Sequence, residues 1–107
     1  MVLSANGVPI RLTEERWFHI IKHHPELKRI RSLVLRAVSR PERLFYFAGA
    51  KDLAAVVRST QLVRGKIAPN LVVHYREVSD RDGFIVTAFP ISEVRMWRKF
   101  QNWQRLR

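Results

Sequence analysis

The sequence predicts an α+β fold in which two N-terminal helices pack on a four-stranded antiparallel sheet, followed by a C-terminal helix. Three observations lead to this prediction. Apolar residues recur at helical spacing between residues 13 and 40. Four stretches rich in β-branched and aromatic residues follow between residues 43 and 92. Residues 93–107 suit an amphipathic helix, and the whole chain of 107 residues suits a single domain, 1–107.

The first helix is predicted to begin after Thr13, in "LTEERWFHIIKH". Thr13 can cap the N-terminus, and the two glutamates that follow favour the first turn. The apolar stripe of this helix consists of Trp17, Ile20 and Ile21. Pro25 then disfavours helical geometry at His24 and suits the first position of a second helix, residues 25–40. Pro41 ends that helix.

The second half of the chain reads as four strands with short connections, which is typical of an antiparallel meander. The predicted strands are residues 43–48, 53–60, 71–78 and 84–92. "SDRDG" is a strong turn signal between the last two. Pro90 lies near the end of the fourth strand, where a proline is tolerated. In the predicted tail helix, Val94, Trp97 and Phe100 lie on the less charged side.

Charge is the strongest signal of function in the composition. Twenty Lys and Arg oppose nine Asp and Glu, a formal net charge of +11. Such a surface attracts polyanions, so nucleic acid is the favoured partner class, with an acidic protein or an anionic membrane as alternatives. The chain has no cysteine, no apolar run of membrane-spanning length and no continuous apolar stretch near its start. A soluble, cytoplasmic protein is therefore expected.

Three histidines fall within six positions in "WFHIIKHHPEL". On a helical wheel His19 and His23 lie away from the apolar stripe, whereas His24 lies almost on it. The i, i+4 spacing of His19 and His23 can bind zinc, but no third ligand is evident, so two solvated histidines and no metal are expected. His24 is either a core histidine bonded to a backbone carbonyl or an acid–base group at a helix end.

Alternation along the predicted strands gathers four polar side chains on one face of the sheet. They are Arg58, His74, Arg76 and Thr87, with Ile85 and Phe89 expected beside Thr87. The face is either a site or a solvated outer surface. As a site, it has the groups of a ribonuclease that uses the RNA 2′-hydroxyl as nucleophile: histidine for proton transfer and arginine for the charge on phosphorus. The nine carboxylates show no cluster typical of a two-metal nuclease.

"LTEERWFHIIKHHPEL", an arginine ending a strand, "LVVHYRE" and "GFIVTAF" together resemble small phage- and toxin-associated domains of the barnase–EndoU–colicin–RelE (BECR) superfamily of metal-independent ribonucleases. The resemblance covers about residues 10–92. It implies a helical N-terminal half on a four-stranded antiparallel sheet, and it makes His24 an active-site candidate. Arg58 and Thr87 match positions where such domains carry a basic residue and a Ser or Thr. The longer segment at 60–70 and the basic aromatic tail depart from the pattern.

The sequence thus favours a metal-independent endoribonuclease without a cofactor, acting as the toxin of a toxin–antitoxin pair or as a phage-related effector. His24 is expected to act as general acid or base, with Arg58 and Arg76 on the scissile phosphate and Thr87 on a phosphate oxygen or the 2′-hydroxyl. The residues expected to bind RNA nearby are Lys51, Arg64, Lys66 and His74, the last also a second acid–base candidate.

Two other functions remain open at this point. One is an RNA-binding module without catalysis, in which Trp97 or Trp103 stacks on bases. The other is a protein-interaction domain whose basic surface is covered by an acidic partner. An acidic antitoxin or inhibitor protein would also be the expected protein partner of a toxin.

Overall fold

The computed structural model describes residues 1–49, 51–59 and 69–107. Within these residues the helices are α1 (Glu14–His23), α2 (Arg31–Ser39) and α3 (Glu93–Lys99). The strands are β1 (Val2–Leu3), β2 (Pro9–Arg11), β3 (Arg43–Phe47), β4 (Asp52–Arg58), β5 (Asn70–Glu77), β6 (Gly83–Ile91) and β7 (Gln104–Arg105). A short 3₁₀ helix, Pro25–Leu27, lies between α1 and α2.

The strands form one sheet in the order β1-β2-β6-β5-β4-β3-β7. The predicted meander is present, because β3, β4, β5 and β6 pair antiparallel in sequence order. The prediction of four strands is corrected: β1 and β2 extend one side, β7 extends the other, and β2 pairs parallel with β6. These added strands have only two or three residues, too few to show a period-2 pattern in the sequence. The α+β class is confirmed, with a mixed sheet.

The first helix begins as predicted, since the Thr13 side chain accepts a hydrogen bond from the backbone N–H of Arg16 at 3.1 Å. The predicted second helix is too long. Pro25 does start a helical turn, but only the 3₁₀ helix, and Ile30 has the non-helical dihedrals φ −123° and ψ 32°. Leu27 and Ile30 are both buried. The break turns the chain so that both side chains reach the core before α2 begins at Arg31.

The main hydrophobic core lies between α1, α2 and one face of the sheet. Trp17 and Ile20 of α1 and Val34, Ala37 and Val38 of α2 contribute from the helices. The central strands contribute Leu44, Leu53, Ala55, Val57, Leu71, Val73, Tyr75, Ile85 and Ala88. We call this side of the sheet the helix-pair face. None of the described helices is long and apolar enough to span a membrane.

The tail covers part of the opposite side, which we call the α3 face. Ser92 caps α3 by accepting a hydrogen bond from the Arg95 N–H, and Met96 and Phe100 are buried against Phe45, Ala54, Val56 and Val72. The tail therefore packs on the sheet of its own domain, as expected. The predicted helix face is corrected: Val94 is 68% exposed, and Met96 is the fully buried residue. The helix also ends at Lys99, and β7 follows it.

Candidate active site

The predicted polar set lies on the α3 face. His74 pairs with Ala54 of β4 on one side and with Thr87 of β6 on the other. Arg76 and Arg58 share this face, because they lie an even number of positions from His74 and Ala54 along their strands. The contribution of Ala54 to the α3 cluster fixes which face this is. The expectation from alternation that these four side chains share one face is confirmed.

A β-bulge sets the position of Thr87. His74 pairs with Thr87 but Tyr75 pairs with Ile85, so Val86 is an extra residue on β6. Ile85 is consequently buried on the helix-pair face, and its expected place beside Thr87 is wrong. The sequence carries no signal for this bulge, since "FIVTAF" alternates normally. The bulge is what keeps both Ile85 in the core and Thr87 next to His74.

Asp52, which was not among the predicted site residues, is the centre of this site. It is 7% exposed at the start of β4, opposite Arg76. Arg76 donates from Nε to Oδ1 at 2.6 Å and from Nη2 to Oδ2 at 3.3 Å. Nε2 of His74 lies 3.1 Å from Oδ2. That contact is within ion-pair distance but is not aligned as a hydrogen bond, so we treat it as electrostatic.

Burial opposes the ionisation of Asp52, but the hydrogen bonds from Arg76 and the charges of Arg76 and His74 outweigh it and lower the pKa of the carboxyl. Asp52 is therefore a carboxylate at neutral pH. Nε2 of His74 is buried and faces this carboxylate. The imidazole is 24% exposed, and Nδ1 is its one nitrogen that does not face Asp52.

His24 lies at the C-terminal end of α1, where its backbone N–H still donates to the carbonyl of Ile20. Its side chain is 35% exposed, with Nδ1 3.4 Å from Oε1 of Glu26. The ring lies 6.4 Å from the ring of Phe89, centroid to centroid. The predicted inward direction of His24 brings its ring to β6 at the margin of the core, where the side chain is only partly buried.

Both histidines approach the same stretch of β6. His24 reaches it at Phe89, and His74 pairs with Thr87 two residues away. Arg76 lies two residues further along β5 on the same face as His74. Along β6, His24 thus lies beside Phe89, His74 lies opposite Thr87, and Arg76 lies opposite Phe84.

Arg58 does not belong to this group. It ends β4 opposite Asn70, whereas Asp52 at the other end of β4 is opposite Arg76. Six residues of strand separate the two ends, or about 20 Å. Arg58 and Arg76 therefore lie at opposite ends of the face, and the structure does not bring them together as the expectation of a shared scissile phosphate requires. Arg58 is exposed, and its backbone N–H donates to Glu42 at 2.8 Å.

Of the loop cations expected to bind flanking phosphates, Lys51 is exposed and lies directly before Asp52, with a positive φ of 56°. It is therefore at the Arg76 end of the sheet. Arg64 and Lys66 lie outside the described residues.

The two remaining histidines are exposed on α1, as predicted. The rings of His19 and His23 meet edge to face, 4.7 Å apart. Across the described ranges, no group of three or more His, Asp or Glu side chains is placed to hold a metal ion.

The tryptophans proposed for base stacking already have partners. The guanidinium groups of Arg43 and Arg105 lie 5.2 and 5.1 Å from the ring centroid of Trp97. Trp103 contacts the rings of Phe47, Phe100 and His74, the last at 5.7 Å. Trp103 is half-buried and forms one wall beside His74.

Comparison of the chain with protein-family models, with curated proteins and with solved structures gives no match. The resemblance to the BECR superfamily therefore stays a proposal that rests on the sequence motifs.

Proposed function

We propose that the protein is a metal-independent endoribonuclease that cleaves RNA through attack of a 2′-hydroxyl on the adjacent phosphate. The observation that carries the proposal is the approach of His24 and His74 to the same stretch of β6, residues 87–89. This reaction needs one group to take a proton and another to give one, and imidazole does both near neutral pH. The net charge of +11 supports a polyanionic substrate.

His74 acts as the base in this proposal. Asp52 faces its Nε2, in the way that a carboxylate fixes the tautomer and orientation of a catalytic histidine. Nδ1 takes the proton of the 2′-hydroxyl while the bond from O2′ to phosphorus forms. The negative carboxylate stabilises the imidazolium that results.

His24 acts as the acid. Its imidazolium protonates the 5′-oxygen as the bond from phosphorus to O5′ breaks, with Oε1 of Glu26 3.4 Å from its Nδ1. The products are a 2′,3′-cyclic phosphate and a free 5′-hydroxyl. The protons balance, because the base gains one and the acid loses one.

Arg76 stabilises the extra negative charge on the phosphorane. Its Nε and Nη2 atoms are held by Asp52, which orients the guanidinium, and the side chain is 42% exposed. Nη1 is the guanidinium nitrogen that Asp52 does not hold, and it would bond the phosphate oxygen. Thr87, directly opposite His74, would bond a phosphate oxygen or the 2′-hydroxyl. Lys51 and Arg58 would contact phosphates on either side of the cleaved bond.

The test is incubation of the pure protein with RNA in excess EDTA, followed by analysis of the product ends. We expect 2′,3′-cyclic phosphate ends, and loss of about 10²–10⁴-fold in rate for His24→Ala and for His74→Ala. The matched controls are His19→Ala and His23→Ala, which remove exposed histidines from the same helix region. An active His24→Ala protein would remove that residue from the mechanism.

A substrate in which sulfur replaces the bridging 5′-oxygen separates the two roles, because a thiolate leaves without protonation. On this substrate His24→Ala should regain most of its activity, whereas His74→Ala should not. Rescue of the opposite variant would reverse the assignment of acid and base. RNA binding without any cleavage would instead favour the alternative of a non-catalytic RNA-binding module.

A further inference from the structure

A small cavity lies on the α3 face at the end of the sheet away from Asp52. Its volume is about 180 Å³, and it is lined by Glu42, Arg43, Val56, Arg58 and Asn70. Val56 is buried and gives the cavity an apolar wall. Sites for drug-sized ligands usually have about 300–1,000 Å³. This cavity therefore suits one planar ring rather than a larger molecule.

Glu93, at the start of α3, fixes the orientation of one lining residue. Its carboxylate accepts hydrogen bonds from Arg43 Nη1 at 2.8 and 2.9 Å, from Asn70 Nδ2 at 2.9 Å and from Trp97 Nε1 at 2.8 Å. Arg43 above all, then Asn70, lowers the pKa of Glu93 to about 2. An ionised carboxylate can only accept hydrogen bonds, so the amide nitrogen of Asn70 must face it.

The amide oxygen of Asn70 is left as a buried acceptor without a donor. Asn70 is 0% exposed, and Oδ1 has no hydrogen-bond partner within the described part of the chain. A buried carbonyl of this kind costs free energy unless a ligand or water donates to it. Asn70 also lines the cavity, so a donor bound there would lie next to its side chain.

Arg58 lies at the rim of the same cavity. Its backbone N–H bonds to Glu42, and its side chain is exposed. The cavity thus combines an apolar wall, one oriented acceptor and an exposed guanidinium. In a nucleotide, the face of the base would contact the apolar wall, an N–H group of the base would donate to the acceptor, and the phosphate would bind the guanidinium.

We infer that this cavity reads one base of the bound RNA, a base that carries an exocyclic amino group, and this inference rests on the proposed function. The amino N–H donates to Oδ1 of Asn70, and Arg58 binds the neighbouring phosphate. In the same pose uracil is disfavoured, because its O4 would face the carbonyl of Asn70 at the position where cytosine presents its amino group. Asn70 precedes His74 by four residues on β5, or about 13 Å. The base is therefore read a few nucleotides away from the cleaved bond.

The test measures binding separately from cleavage. The probes are fluorescent 2′-O-methyl hexanucleotides of A, C or U, which lack the nucleophilic hydroxyl and stay intact. By fluorescence anisotropy the full chain should bind the A and C probes about five- to tenfold more tightly than the U probe. Equal affinity for all three probes would overturn the inference.

Two variants then separate the proposed contacts. Asn70→Leu should bring the three affinities to within about twofold of each other. Arg58→Ala should weaken all three probes alike and make the slope of log affinity against log salt shallower by about 0.7. The matched control is Arg81→Ala, an exposed arginine in the turn at the opposite end of β5. The Arg81→Ala variant should keep the preference for the A and C probes. If the Asn70→Leu variant also kept this preference, the proposed role of Asn70 would be refuted.

Asn70→Leu also removes a hydrogen bond to Glu93, and the variant could unfold for that reason. A second measurement therefore uses the wild-type protein. Adding the C probe to wild-type protein should shift the side-chain amide resonances of Asn70 in an NMR spectrum, and the U probe should shift them less. Unmoved resonances with a saturating C probe would overturn the inference. Cleavage with no base preference would defeat this inference alone, whereas a base preference without cleavage would defeat only the ribonuclease mechanism.

Discussion

The two faces of the central sheet are built differently. On the helix-pair face, the central strands contribute apolar side chains and Tyr75 to a core closed by α1 and α2. On the α3 face, a smaller apolar cluster around Met96 and Phe100 is flanked by Asp52, His74 and Arg76. The helix-pair face has two helices to exclude water, whereas α3 has only seven residues and leaves His74 and Arg76 partly exposed. One face can thus serve stability while the other keeps polar groups accessible.

The largest effect on stability is expected from removing the tail that covers the α3 face, residues 93–107. Truncation after Ser92 removes Met96 and Phe100 from the α3 cluster, together with β7 from the edge of the sheet. Loss of each large buried side chain costs about 2–5 kcal/mol, and a domain of this kind is usually stable by only about 5–15 kcal/mol.

The truncated chain should therefore unfold or aggregate, as measured by circular dichroism and light scattering. Val94→Ala changes an exposed residue of the same helix and should leave the melting temperature within error. A truncated protein that melts at the temperature of the full chain would refute this expectation.

The second effect concerns the polar centre of the α3 face. Asp52→Asn keeps the shape of the side chain but removes the charge that faces His74 and Arg76. We expect a loss of about 1–3 kcal/mol in the free energy of unfolding, because the hydrogen bonds here involve charged groups. RNA cleavage should fall as well, since the imidazole loses its partner.

Asp82→Asn is the matched control, because Asp82 pairs with Arg11 at an exposed site. Exposed pairs contribute about 0–1 kcal/mol, so this variant should be nearly as stable as the wild type by urea denaturation. Equal costs for the two variants would mean that Asp52 is no more than a surface charge.

A smaller effect on stability is expected from the protonation of Glu93, the first residue of α3. Hydrogen bonding, mainly from Arg43, lowers its pKa from 4.5 to about 2. A carboxyl whose pKa is lower in the folded state stabilises the fold above its unfolded pKa, and this contribution is lost as pH falls through the folded value. The urea midpoint of the wild type should therefore decrease between about pH 4.5 and pH 2.

Glu93→Gln should start from a lower midpoint at pH 7 and decrease less over that acidic range. Asp52, whose pKa is also lowered, adds the same kind of acid sensitivity to both proteins. Glu15→Gln removes one negative charge from an exposed position on α1 and serves as the control for net charge. If its profile matched that of Glu93→Gln, the effect would be one of total charge.

The smallest effect lies on the helix-pair face. Tyr75 is fully buried, its hydroxyl has no hydrogen-bond partner in the described ranges, and burial first of all raises its pKa. Tyr75→Phe removes that unsatisfied hydroxyl and keeps the ring. The variant should be as stable as the wild type or more stable by up to about 1 kcal/mol. A loss of more than about 1 kcal/mol by urea denaturation would show that the hydroxyl has a partner.

Much of this molecule was predictable from local patterns. The capping Thr13, the four central strands and the side-chain alternation of β4 and β5 are all properties of neighbouring residues in the chain. Alternation also gave the shared face of His74, Arg76 and Thr87, because a strand has only two sides. The inward direction of His24 followed in the same way from the apolar stripe of α1.

The sequence by itself therefore determined the α+β class, the order of the main elements and the two sides of β4 and β5, since these depend on local spacing. Only the tertiary structure decided the partners. The parallel pairing of β2 with β6, the bulge at Val86, the contact of Asp52 with His74 and Arg76, and the separation of Arg58 from Arg76 all depend on register between distant segments. Register is set by how whole faces pack against each other, and a single strand carries no record of which residue will lie opposite it.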